Sequence, residues 1–177
     1  KLMANTNTDP FTGVIAMDET YVGGLNKNCH RDKKIENSQG RSGLDKTPVF
    51  VMINLCGQVK AYVVAGTSGS ILKPIIAENV IKEQCILVTD EHKGYNSLEE
   101  DKYMHVSVCH GIGEYARGAF HNNTPESFNA CLKRTIKGTH LHVSKKHLQK
   151  YVDEVAFRWM YAGQQDTMFE TILKRVV

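Results

Sequence analysis

Gly13-Val14-Ile15-Ala16-Met17-Asp18 is an apolar run of the kind that forms a buried strand, and it stops on a carboxylate. A second run, Cys85-Ile86-Leu87-Val88-Thr89-Asp90, ends the same way 72 positions later. Glu126 opens a helical pattern, with 35 residues between it and Asp90. Closing a core strand on an acid twice is a poor use of burial, because a charge taken from water must be paired. It is a good way to hold a divalent cation, and oxygen ligands suit magnesium or manganese. Singly, each acid has an ordinary explanation: a strand-end cap, a turn begun with Glu91, an acid favoured by a helix N-terminus. Jointly they point to two ions that neutralise the cluster and serve an in-line phosphodiester displacement.

Working outward, Gly23-Gly24 through Lys46 is polar and aperiodic and reads as a long mobile loop. Val49–Asn54 and Val59–Val64 are strand-like runs joined by Leu55-Cys56-Gly57-Gln58, a hairpin signal. Ile71, Leu72, Ile75, Ile76 and Val80 recur at helical spacing after Ser68-Gly69-Ser70. Residues 85–89 follow as a buried strand, expected parallel to the first. After a short helix, Tyr103–Val108 alternates like a half-buried strand, and Gly111-Ile112-Gly113 begins an irregular connection. The helix carrying Glu126 is expected to take Thr124 as its N-cap and Pro125 as its first residue, with Phe128, Leu132 and Ile136 facing the core. A later helix starts at Ser144 and stops near Gly163, and the segment 166–177 is short and amphipathic. Strands followed by interleaved helices make a mixed α/β layer in which the first strand can lie beside the fourth, bringing Asp18 and Asp90 together.

The 177 residues, 41% hydrophobic, suit one domain with an adequate core. Residues 1–11 are aperiodic and read as a linker or tail from a missing N-terminal region, leaving 12–177 as the folded domain. Five widely spaced cysteines without a Cys-x-x-Cys pair argue against a disulfide framework and a zinc ribbon. No apolar run is long enough to span a bilayer, so a soluble protein of a reducing cytoplasm is expected. Net charge is only +3, but Arg117–Lys150 holds seven cations against the single acid Glu126, and Gly24–Lys46 adds six cations against three acids. The rest of the chain is therefore acidic, and this polarity points to a polyanion held on one side.

The motifs Asp18-Glu19-Thr20-Tyr21-Val22-Gly23-Gly24, Thr89-Asp90-Glu91-His92-Lys93-Gly94-Tyr95, His121-Asn122-Asn123-Thr124-Pro125-Glu126-Ser127-Phe128 with Leu132-Lys133-Arg134, and Val143-Ser144-Lys145-Lys146-His147-Leu148-Gln149-Lys150-Tyr151 followed by Asp153-Glu154 together resemble the transposase domain of the insertion-sequence 1595 family, related to the Merlin transposases. The likeness covers about residues 12–162. It implies a ribonuclease-H-like α/β fold, a mixed five-stranded sheet with helices on both faces, and an Asp-Asp-Glu mechanism in a bacterial, nucleoid-associated enzyme. By that resemblance Asp18, Asp90 and Glu126 are the catalytic residues and the ligands of two Mg2+ (or Mn2+) ions. Lys133 matches a basic residue two helical turns beyond the glutamate that contacts substrate DNA. The implied partners are transposon-end DNA and target DNA, and the implied assembly is a homodimer. A ribonuclease-H-like structure-selective nuclease and a non-catalytic DNA-binding module derived from a transposase are the alternatives.

Around this core, Arg117, His121, Asn123, Arg134, Lys137, Lys145, Lys146, His147 and Lys93 are assigned to DNA contact, largely to its backbone. Asn123 is also a possible secondary ligand, because some relatives carry Asn as the third acid. Glu114 is a weaker competitor for that position, and Glu19, Glu91 and Glu154 are assigned surface or supporting roles. Tyr95 is read equally as a phosphate neighbour or a packing residue. His140, His142 and His147 have no cysteine at zinc-finger spacing, so zinc is not expected. Where relatives show an aromatic-Ser pair after Phe128, this chain has Asn129-Ala130.

Overall fold

Phe11–Val22 forms one twelve-residue strand, β1, and every other strand of the main sheet is placed by it. The computed structural model describes residues 2–4, 8–24, 30–36, 45–90, 95, 103–108, 116–117, 120–121 and 123–176. On one side β1 pairs antiparallel with β2 (Thr47–Asn54), which pairs antiparallel with β3 (Val59–Val63). On the other it pairs parallel with β4 (Val80–Thr89), which pairs parallel with β5 (Met104–Ser107). The sheet order is β3-β2-β1-β4-β5. This is a mixed five-stranded α/β sheet, with β1 central as the sequence predicts.

Side-chain alternation divides β1 between two cores. Ile15 and Met17 join Phe50, Met52 and Leu87 under α1 (Gly69–Asn79), which contributes Leu72 and Ile76. Val22, with Val49, Val51 and Ile53 of β2, lies on the opposite face under α2 (Asn123–Thr135) and α3 (Leu148–Met160). On that face Phe128 is fully buried and meets the Trp159 ring edge-on at 5.6 Å. The edge of β3 is blunted by Gln149 of α3, whose amide accepts from Val63 N–H at 2.7 Å and donates to Ala61 O at 2.9 Å, the pairing a further strand would otherwise make.

Several element boundaries differ from the sequence expectation. β1 extends past Asp18 to Val22, because antiparallel pairing with β2 continues from Ile15 to Val22 after the parallel pairing with β4 has stopped at Ala16. Asp18 is therefore inside its strand, opposite Val51, and not at the end of it. Phe11 is the first residue of β1 and is 3% exposed, so the boundary drawn between residues 11 and 12 falls within this strand. Val80 begins β4 and does not close α1. α2 starts at Asn123, which puts Thr124 and Pro125 in its first turn with Thr124 no longer the cap.

After α2 the chain continues as a π-helical segment, Ile136–His140, that apolar spacing gave no reason to expect. It ends in a γ-turn: His142 N–H donates to His140 O at 2.6 Å around Leu141, whose φ is 58°. A short 3-10 turn, Lys145–His147, precedes α3, which ends three residues before Gly163, and α4 (Gln165–Lys174) follows. The irregular connection before α2 contains a small hairpin of β6 (Ala116–Arg117) and β7 (Phe120–His121). Of the loop expected over residues 23–46, residues 30–36 include a single 3-10 turn, Arg31–Lys33, and residues 25–29 and 37–44 lie outside the described residues. The short helix expected between β4 and β5 falls almost wholly outside them as well. Among the described cysteines, Cys56, Cys85 and Cys131 are free thiols, and no described helix is long and apolar enough to cross a membrane.

Candidate active site

The register between β1 and β4 pairs Ala16 with Val88, and these two side chains share one small cluster. Asp18 and Asp90 each lie two residues beyond that pair, so the acids leave neighbouring strands at the same level. Asp90 directly follows the last residue of β4, where the sequence expects it. Its backbone is fastened there: Thr89 Oγ1 donates to Asp90 O at 2.8 Å, Ser107 Oγ donates to the same oxygen at 3.3 Å, and Val108 N–H donates to Thr89 O at 2.9 Å. The Thr89 hydroxyl has one proton to give, so its 2.8 Å contact with His105 requires that imidazole to donate through Nε2.

Asp18 is half-buried, and both of its carboxylate oxygens are held. Oδ1 accepts from the Glu19 backbone N–H at 2.8 Å, and Oδ2 accepts from Asn129 Nδ2 at 2.8 Å. Its pKa is pushed up from 3.8 to about 6, first by burial and then by the charge of Asp90, with a smaller push from Glu126. The hydrogen bonds from Asn129 and Glu19 oppose that rise. The charges of Asp90, after the end of β4, and of Glu126, in the first turn of α2, thus reach Asp18 on β1. Glu126 itself is exposed, and among the described residues no three His, Cys, Asp or Glu side chains close into a group able to hold one ion.

The site nonetheless fits divalent cations chemically. A half-buried carboxylate crowded by two others is what a cation would relieve, and the donors are oxygen. Two buried polar atoms on this face of the sheet, Thr20 Oγ1 and Asn129 Oδ1, have no hydrogen-bond partner among the described residues. A buried polar atom left unpaired costs about 1–3 kcal/mol, so each of these two atoms calls for a partner such as a water or an ion.

Glu19 belongs to the other face of the sheet. It lies opposite Phe50 of the α1 core, and its Oε1 accepts a short hydrogen bond from the Tyr95 hydroxyl. Burial, above all, pushes its pKa from 4.5 to about 7, and the charges of Asp90 and Asp18 add to the rise against the Tyr95 hydrogen bond. The supporting role expected for Glu19 agrees with this. Tyr95 is 1% exposed and is a packing residue, not a phosphate neighbour.

The residues assigned to DNA contact divide by element. Asn123, Lys133, Arg134 and Lys137 are exposed along α2 and the π-helical segment, and Lys145, Lys146 and His147 are exposed on the turn before α3. Lys133 lies seven residues after Glu126 on the same helix, about 10 Å along the axis. Among the described residues none of these cations forms an ion pair, whereas Arg158 is paired with Glu154 at 3.0 Å, in keeping with the supporting role given to Glu154. His140 packs its ring edge-on against Tyr151 at 4.5 Å. Arg117 and His121 fall on the β6–β7 hairpin just ahead of α2. Lys93, Glu91 and Glu114 lie outside the described residues.

Sequence reasoning noticed Asn129 only as a departure from the expected aromatic and missed its bond to Asp18. Its position three after Glu126, on the same helical face, was the available signal. Nothing in the sequence signalled the Glu19–Tyr95 contact, which joins residues 76 positions apart.

The profile of the ISXO2-like transposase domain matches residues 10–160. A curated relative, an uncharacterized protein in transposable element ISH50 of Halobacterium salinarum, is 31% identical over 148 residues, which cover 79% of this chain and 50% of that protein. A solved chain from the cryo-EM structure of the simian T-cell lymphotropic virus intasome in complex with PP2A regulatory subunit B56 gamma is similar at a TM-score of 0.47 and 15% identity, over 88% of this chain and 50% of that one. The chain spans about half the length of the relatives it matches.

Proposed function

The chain belongs to the ISXO2-like transposase domain family, and from that premise we propose that it is the catalytic domain of a DNA transposase using Asp18, Asp90 and Glu126 as ligands of two Mg2+ or Mn2+ ions. The observation that carries this reading is the register of β1 on β4, which brings Asp18 and Asp90, 72 positions apart in sequence, to the same level of neighbouring strands. When bound, such ions would offset the charge on the attacked phosphate and favour formation of the attacking oxygen. The protein's own share is positioning. β1 and β4 hold two acids at one level, and α2 brings the third toward them across the sheet face.

Two phosphodiester exchanges at this one site would make up the reaction: hydrolysis at a transposon end, then attack of the freed 3′-hydroxyl on target DNA. The exposed cations of α2, the π-helical segment and the 3-10 turn would meet the phosphate backbone, which positions DNA without reading its sequence. Arg117, His121 and Lys93 are assigned to DNA contact as well in this reading. A homodimer acting in the bacterial cytoplasm at the nucleoid completes it, because two ends are processed together.

Asp90→Asn is expected to abolish Mn2+-dependent strand transfer from pre-nicked ends while leaving the circular dichroism spectrum and melting cooperativity intact. Near-normal transfer in that variant would refute the assignment. Lys133→Ala is expected to weaken DNA binding and flatten the dependence of log affinity on log salt by about one ion, and an unchanged slope removes Lys133 from the interface. One observation favours a second reading, a DNA-binding module without catalysis: Glu126 is exposed, and the three acids do not close into a group able to hold one ion. Nicking of a supercoiled plasmid with Mn2+ separates the two, since the module would bind DNA equally with or without metal.

A further inference from the structure

Asn129 is 5% exposed, sits one turn beyond Glu126 on α2, and reaches across to β1 to donate from Nδ2 to Asp18 Oδ2 at 2.8 Å. With the Glu19 N–H on the other oxygen at 2.8 Å, the Asp18 carboxylate is fixed in orientation while each oxygen keeps lone-pair capacity for another partner. The same bond joins α2 to β1 one turn beyond Glu126. The other half of the Asn129 amide is unused: Oδ1 is buried with no hydrogen-bond partner among the described residues. A purely structural asparagine at 5% exposure would be expected to satisfy both ends. An amide oxygen is also the kind of hard acceptor that divalent cations and their bound waters use.

We propose that Asn129 is a positioning residue of the cation site, orienting Asp18 through Nδ2 and accepting from the water shell of a bound divalent cation through Oδ1. The inference rests on the reading of Asp18, Asp90 and Glu126 as cation ligands. It assigns a role to a residue at which the family resemblance leads one to expect an aromatic. Loss of a partner that orients a ligand typically costs 10–100-fold in metal affinity.

The test is thermal unfolding of the full chain against MnCl2 alone, without DNA, for wild type, Asn129→Leu and the smaller Asn129→Ala. Wild type is expected to gain melting temperature with a defined Mn2+ midpoint. Both variants remove the donor to Asp18 and the free acceptor, and each should raise that midpoint about tenfold. If Asn129 only packs, both variants lower the metal-free melting temperature and leave the midpoint unchanged. A rise above threefold in both variants supports the proposal. A midpoint within threefold of wild type, or below it, in either variant overturns the proposal while leaving the three-acid reading standing. No Mn2+ response in wild type overturns both. Should Asn129→Leu not fold, Asn129→Ala decides alone.

Discussion

Two adjacent carboxylates on β1 point to opposite faces of one sheet, and the two faces treat them differently. Glu19 enters the α1 face, where a buried tyrosine hydroxyl closes over it. Asp18 enters the α2 face, where an asparagine holds one oxygen and two further acids raise its pKa. Both groups are desolvated and both have raised pKa values, yet among the described residues it is Asp18 whose face holds the unpartnered polar atoms Thr20 Oγ1 and Asn129 Oδ1. The lesson is that a shifted pKa alone does not identify a ligand. What distinguishes the two acids is whether the neighbourhood is already satisfied.

The sharpest way to break this comparison is to neutralise each acid in turn. Asp18→Asn is expected to lose strand transfer by more than about 100-fold, beyond what loss of a supporting group costs, while melting higher than wild type without metal. Glu19→Gln should also melt higher but retain activity within about tenfold, because its side chain lies on the other face. Equal losses of activity in the two variants would show that the faces are not functionally separate.

The next test is pH. Asp18 and Glu19 are raised to about 6 and about 7, so the folded state binds their protons more tightly than the unfolded chain does. Stability from these groups is therefore fully present below their unfolded values near 4 and is lost as pH rises through about 7. Each should withdraw on the order of 2 kcal/mol after solvent screening. Melting temperature of metal-free protein is expected to fall across that window, and Asp18→Asn or Glu19→Gln should each remove part of the fall. Added Mn2+ should offset the Asp18 share most, and the Glu19 share only as far as it relieves the charges of Asp90 and Asp18. A flat profile in wild type contradicts the burial of both groups.

Smaller effects come from the groups that hold each acid. Tyr95→Phe leaves Glu19 without its donor and should cost about 1–2 kcal/mol, more at pH 8 than at pH 5, measured by urea unfolding at the two values. The smallest expected effect is where the α2 face ends. α1 passes directly into β4, whereas α2 runs through a π-helical segment into the γ-turn at Leu141, which is 82% exposed with φ 58°. Leu141→Gly should stabilise by up to about 1 kcal/mol by relieving that backbone strain, and a destabilised variant would mean that the leucine side chain makes a contact worth more than the strain.

Much of this molecule can be read from its sequence, but unevenly. The apolar runs at 13–17 and 85–89, the Val49–Asn54 and Val59–Val64 hairpin and the helical spacing of Phe128, Leu132 and Ile136 all became the elements they suggested, because periodicity reports burial directly. Asp18 and Asp90 stood out as acids that close apolar runs, where burial makes them costly, and Glu126 as the acid that opens a helical pattern. The extension of β1 past Asp18 was not legible: Glu19, Thr20 and Tyr21 break the apolar run, and only pairing with β2 keeps them extended. Nor was Asn129, whose partner lies 111 positions away.

Local pattern was enough to tell most strands from helices, to pick out many of the side chains that face a core, and to single out Asp18 and Asp90 at the ends of apolar runs and Glu126 at the head of a helix. Only the tertiary structure decided that Asp18 and Asp90 leave neighbouring strands at the same level, that Asn129 and not an aromatic meets Asp18, and that Glu19 is closed off behind Tyr95. The reason is one of range. Hydrophobic period and turn chemistry act within a few residues, whereas strand register and helix docking are settled by contacts between segments that no local window contains.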